Sequence, residues 1–125
     1  MKCLTVALIG LTMMTPIAFA DDDRPHGLLC QLFAEPELTL ISQCKPRFGW
    51  IFPSGSDGDF QTAYQILVAA SAEVLKDDRG DLWDSGKMSS GQSLHVAYAG
   101  SPLPSHAACY WKVRTWDRHD AASAY

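Results

Sequence analysis

The groups in this chain able to take part in chemistry are 14 carboxylates, 4 histidines, 4 cysteines and a set of aromatic side chains. Asp84 and Asp117 each follow a tryptophan at the end of a predicted strand, and an apolar neighbour can raise a carboxyl pKa toward the range of a general acid. The same position also suits a carboxylate that accepts backbone hydrogen bonds in a turn, and both sites fit that role better. A Gly-x-Ser-x-Gly nucleophile elbow is absent, and His26, His95, His106 and His119 are too scattered to assign a Ser-His-Asp set. Zinc requires His and Cys at short paired spacings, which Cys30, Cys44 and Cys109 lack. Asp57-x-Asp59 lacks the repeating ligands and closing glutamate of a calcium loop, and Asp21-Asp22-Asp23 stands without further ligands; both read as solvated. No cofactor is implied. Trp83, Trp116 and Tyr110 are the candidate carbohydrate contacts, since sugars stack on exposed aromatic faces flanked by polar groups; packing inside a β-sandwich is the competing reading.

Whatever these residues do, strands must position them. In Gln61–Ser71, Tyr64, Ile66 and Val68 alternate with Gln65, Leu67 and Ala69, the period of two that sends neighbouring side chains to opposite faces of a sheet. Burying such side chains contributes roughly 1.5–3 kcal/mol each, which requires a second layer. Gly27–Phe33 predicts a first strand, ended by Pro36, and Leu38–Ser42 a short second one or its continuation. Phe48, Trp50 and Phe52 fall on one face. The turn-rich stretch 53–59 connects them to the Gln61 strand. Residues 71–80 suit a single helical turn or, more simply, a polar connection. Residues 81–88 read as an edge ribbon, Leu94–Tyr98 as a strand, and Ala108–Trp116 as the last full strand, with Trp111, Val113 and Thr115 on one face and Tyr110, Lys112, Arg114 and Trp116 on the wetter one. Ser123–Tyr125 looks like the start of another strand. Six or seven short strands at this spacing predict an all-β sandwich.

The 125 residues suit one domain. Residues 1–20 read as a secretory signal peptide: Lys2, the apolar run Leu4–Leu11 and the small-x-small site Ala18-Phe19-Ala20. The predicted division is therefore leader 1–20, flexible tail 21–26 and sandwich 27–125, with the product secreted or periplasmic and free of the membrane after cleavage. Removing the leader takes away one charge, Lys2, and moves the net charge from −4 to about −5, which argues against nucleic acid as a partner. The three remaining cysteines form either one bridge and one free thiol, in any of three pairings, or three buried thiols.

Five motifs in order carry a resemblance: Pro46-Arg47-Phe48-x-Trp50, Gln61-Thr62-Ala63-Tyr64-Gln65-Ile66-x-Val68, Leu82-Trp83-Asp84-Ser85-Gly86-Lys87, Tyr98-x-Gly100-x-Pro102-Leu103 and Tyr110-Trp111-Lys112-Val113-Arg114-x-Trp116-Asp117. From about Leu28 to Tyr125 the chain resembles the N-terminal domain of bacterial α-L-rhamnosidases of glycoside hydrolase family seventy-eight. It departs in two loops, with Glu35 before Pro36 where the family often has Asn, and Asp57 and Asp59 where it has a basic turn. The resemblance implies a fibronectin type III or immunoglobulin-like sandwich of about seven strands, its last strand truncated. Further β domains and an (α/α)₆ barrel would follow it. Hydrolysis with inversion needs two carboxyl groups about 6.5–9.5 Å apart, and by resemblance they belong to the barrel. The implied role is thus a non-catalytic accessory domain whose partners are the downstream domains and, through them, rhamnosylated glycosides. A secreted carbohydrate-binding or protein-interaction module is the alternative.

Overall fold

The computed structural model describes residues 6–10, 24–30, 40–41, 45–53, 57–103 and 108–125. Its frame is the antiparallel pair of β5 (Ala63–Ala69) and β9 (Ala108–Trp116), in register over seven positions from Ala63 opposite Trp116 to Ala69 opposite Tyr110. Both sequences alternate without interruption, so pairing them puts Tyr64, Ile66 and Val68 on the same face as Trp111 and Val113. β6 (Trp83–Asp84) and β7 (Met88–Ser89) pair with the far edge of β5. The facing sheet is β2 (His26–Cys30), β4 (Arg47–Ile51) and β8 (Val96–Ala97), in the order β2-β4-β8. These seven strands make the predicted two-layer antiparallel sandwich.

Two further strands extend the larger sheet. β1 (Val6–Gly10) runs parallel to β9, and β3 (Leu40–Ile41) pairs antiparallel with β1. β1 lies within the stretch that reads as a leader. The segments around Phe33, Pro36 and Cys44 fall outside the described residues.

The interior is aromatic. Phe48 lies 4.5 Å from Trp111 between ring centroids, Trp50 meets Tyr64 edge-on at 5.2 Å, and Trp83 meets Tyr98 edge-on at 5.2 Å, geometries that add about 0.5–1.5 kcal/mol per pair beyond area burial. Cys30, Val96 and Cys109 fill the gaps. Besides Thr115, the buried polar side chain among the described residues is Gln61. Its side-chain oxygen accepts from Trp50 Nε1 (2.9 Å), and its amide donates to the carbonyls of Ser90 (3.0 Å) and Gln92 (2.8 Å), joining one core strand to the loop that covers it. Gln61→Ala leaves an indole N–H and two carbonyls without these partners; with each buried orphan costing about 1–3 kcal/mol, we expect a loss of about 2–4 kcal/mol in urea denaturation.

On the opposite face of β5, α1 (Ala72–Lys76) covers a second cluster, with Leu75 packed against Leu67 and Ala69. Ser71, in extended conformation, caps it by accepting from Val74 N at 3.3 Å. The helical turn forms, rather than the plain polar connection, because Leu67 and Ala69 on the outer face need cover.

Candidate functional site

Both candidate acids are occupied by turns. Asp84 Oδ1 accepts from the Gly86 backbone N–H and from Gln65 Nε2, each at 2.8 Å. Asp117 Oδ1 accepts from the N–H groups of His119 (2.8 Å) and Ala121 (2.9 Å). The Ala121 bond, aided by that of His119 and the nearby cations, holds the Asp117 carboxyl below the usual carboxylate range. Its folded pKa is thus lower than its unfolded one, so its stabilisation is present above the unfolded value of about 3.9 and is lost as pH falls through the folded value. In an NMR titration Asp117 should titrate below the ordinary aspartate value, and the His119 and Ala121 amide shifts should collapse with it. Asp117→Asn should abolish that acid step.

The thiols are buried and unbonded at Cys30 and Cys109. Burial pushes Cys30 up to about 12 and also raises Cys109, which withholds the thiolate that nucleophilic chemistry would need. Cys44 and His106 lie outside the described residues. His119 Nε2 accepts from Arg118 Nε at 3.1 Å on the surface, and Asp59 Oδ1 accepts from the N–H groups of Phe60 (2.9 Å) and Arg118 (3.4 Å).

The three aromatic candidates are not brought together. Trp83 is half-buried at the margin of the main core, against Phe48 and Tyr98. Tyr110 and Trp116 share the outer face of β9 but stand six residues apart, about 20 Å along a strand. Tyr110 packs into the cluster beneath α1, and Trp116 is 8% exposed. Around Trp116 the structure builds a network that sequence reasoning saw only as two cations on a wetter face. Arg114 donates from Nε (3.0 Å) and Nη2 (2.7 Å) to Gln65 Oε1, and its guanidinium lies 4.9 Å from the ring centres of both Trp116 and Tyr125. Lys87 reaches over Trp116 at 5.0 Å, while Lys112 lies 4.5 Å from the Tyr125 ring centre and pairs with Asp78. This side of the molecule carries a groove of about 330 Å³ where Lys76, Lys112 and Arg114 face Tyr125. The alternation of β9 located the cations, but nothing local foretold that Tyr125 would fold back over them.

The comparisons with known proteins agree with this architecture. A family model described as "Rha78A-like, N-terminal immunoglobulin domain" matches residues 26–125. An α-L-rhamnosidase of Formosa agariphila is 44% identical over 79 residues, covering 63% of this chain and 8% of that protein, and one of Streptomyces avermitilis is 44% identical over 85 residues, covering 68% and 8%. The solved α-L-rhamnosidase of Dictyoglumus thermophilum superposes with a TM-score of 0.72 at 32% identity, over 81% of this chain and 11% of its own. The chain thus spans about a tenth of the relatives it matches. Since the match runs through both layers of the sandwich and all five ordered motifs, the chain belongs to the family of Rha78A-like N-terminal immunoglobulin domains.

Proposed function

We propose that this chain is the non-catalytic N-terminal accessory domain of an exported α-L-rhamnosidase-like glycoside hydrolase, and that it holds the neighbouring domains in position. The match over residues 26–125 to a small part of much longer α-L-rhamnosidases carries this reading. It is supported by Asp84 and Asp117, whose carboxylates are engaged in backbone turns, and by aromatic side chains spent on packing. Removal of terminal α-L-rhamnose from glycosides, with inversion, would belong to the domains that follow. Export rests on the leader-like residues 1–20, and cleavage after Ala20 would leave Asp21 as the new N-terminus, which N-terminal sequencing of the exported product reads directly.

The decisive assay incubates the 125-residue chain with an aryl α-L-rhamnoside. No turnover above buffer is expected; turnover that Asp84→Asn or Asp117→Asn removes would overturn the assignment. The carbohydrate-contact reading of Trp83, Trp116 and Tyr110 is checked in the same preparation by L-rhamnose titration. Binding lost on Trp83→Ala or Trp116→Ala would make the domain a sugar-binding module, and a flat titration leaves it a scaffold.

A further inference from the structure

The outer side of the larger sheet gathers positive charge against the balance of the chain. The sequence carries 10 Lys and Arg against 14 Asp and Glu, yet the groove beside Tyr125 is lined by Arg24, Lys76, Lys112 and Arg114, with Asp78 as the one carboxylate side chain among the described residues. A cleft lined by one sign of charge focuses its field, so this groove attracts anions although the net charge of the chain repels them. Two elements set the cations in place. Lys112 and Arg114 are alternate residues of β9 and leave the sheet on one face. Lys76 stands in the last turn of α1, which packs over Leu67 and Ala69 on that same face.

The cations differ in how far they are already engaged. Arg114 is fixed in place by its two bonds to Gln65 Oε1 and by the Trp116 and Tyr125 rings beside its guanidinium. Lys112, 12% exposed in its side chain, pairs with Asp78 and is neutralised by it. Lys76 is exposed and has no ion pair among the described residues. The groove therefore offers a held guanidinium and an uncommitted ammonium. Asp78 then decides which anion fits. An ionised carboxylate has about four acceptor positions, and those that Lys112 leaves over repel a phosphate dianion but accept from hydroxyl groups. The volume of about 330 Å³ is at the lower end for small-molecule clefts, which run from about 300 to 1,000 Å³. It suits one hydroxylated ring.

We infer that this groove is a binding site for a carboxylate-bearing sugar, one uronic acid unit in size. Arg114 and, on its flexible stem, Lys76 supply charge-assisted donors to the carboxylate. Asp78 accepts from the ring hydroxyls, and Tyr125 closes one wall. The site differs from the neutral-sugar contact considered for Trp83, Trp116 and Tyr110, because here charge selects the ligand. It goes beyond the accessory-domain reading and does not rest on it; a chain that binds no acidic sugar would still serve as a scaffold.

The test is a calorimetric titration of the 125-residue chain with sodium D-glucuronate. D-Glucose, which lacks the carboxylate, acetate, which lacks the ring, and inorganic phosphate are titrated beside it. Glucuronate should bind saturably and roughly tenfold or more tightly than each of the other three, and its affinity should fall as NaCl is added, since exposed charges are screened. Lys76→Gln and Arg114→Gln should each weaken glucuronate by roughly tenfold, the scale of one hydrogen bond to a charged group. Asp78→Asn, whose side chain tolerates the left-handed φ of 54° at that position, should raise the affinity for phosphate relative to glucuronate. Absence of glucuronate binding, or equal binding of glucose, overturns the inference. Acetate or phosphate held as tightly as glucuronate makes the groove an unselective anion site and overturns the sugar assignment. Glucuronate affinity unchanged by Lys76→Gln removes the site from this groove. Because Lys76 is exposed, that variant keeps the test sound even if Arg114→Gln unfolds, and an unchanged urea midpoint verifies its fold.

Discussion

Trp111→Ala should be the most damaging single truncation in this domain, costing about 3–5 kcal/mol, the range for removing a buried large aromatic. The indole is 1% exposed, stands opposite Val68 in the β5–β9 ladder and touches Phe48 across the sandwich at 4.5 Å between centroids. It therefore links both layers, and no neighbour can collapse into its place without breaking the seven-position register that fixes Val68. Against a domain stability of about 5–15 kcal/mol, such a loss takes a large share of the whole. Urea unfolding followed by circular dichroism should show the midpoint moving far down, and a shift worth under about 1 kcal/mol would mean that the aromatic interior is not the principal source of stability.

Gly80→Ala should also be costly, at about 2–3 kcal/mol and a fall in Tm of about 10–20 °C. A Cβ built at Gly80 would lie 2.1 Å from the Trp83 carbonyl oxygen and 3.0 Å from Val68 N. Both obstacles are backbone, so relief requires moving the strand. That strand is β6, held by Val68 opposite Trp83 and by the Leu82 N–H donating to the Val68 carbonyl at 3.0 Å. Gly86→Ala is the informative contrast. Gly86 has φ +63° with nothing within 4 Å of the added carbon, so that variant carries only the left-handed backbone cost of about 1–2 kcal/mol. Equal effects at the two glycines would refute the close-approach argument.

The parts of the fold legible in the sequence are those where one periodicity runs unbroken for seven residues or more. β5 and β9 meet this condition, and their inward and outward faces are as their alternation predicts. Legibility fades where a single residue interrupts the period. Leu94–Tyr98 reads as one strand, yet His95 adopts φ 58°, which leaves Leu94 44% exposed and shortens β8 to Val96–Ala97. β2 starts at His26, one residue ahead of the predicted Gly27. The apolar run near the N-terminus gives a leader pattern and a strand pattern at once, since β-branched and aliphatic residues serve both, and only pairing with β9 exposes the second. The site was legible in pieces. Asp84 and Asp117 read as turn acceptors from their surroundings, and the cations of β9 follow from its alternation. The Gln65–Arg114–Tyr125 assembly was hidden because it joins residues far apart in sequence through contacts that have no local signature.

The two buried thiols bear on how long the domain would last in an oxidising medium. With Cys30 raised to about 12, its thiolate amounts to about one part in ten thousand at pH 8. Alkylating or oxidising reagents therefore meet almost nothing to react with while the sandwich is closed. Each opening of the core restores an ordinary thiol, and capture at that moment prevents return. Survival outside a reducing compartment would then follow the opening of the layers: the height of the unfolding barrier where capture outpaces reclosing, and the depth of the native well where reclosing is faster.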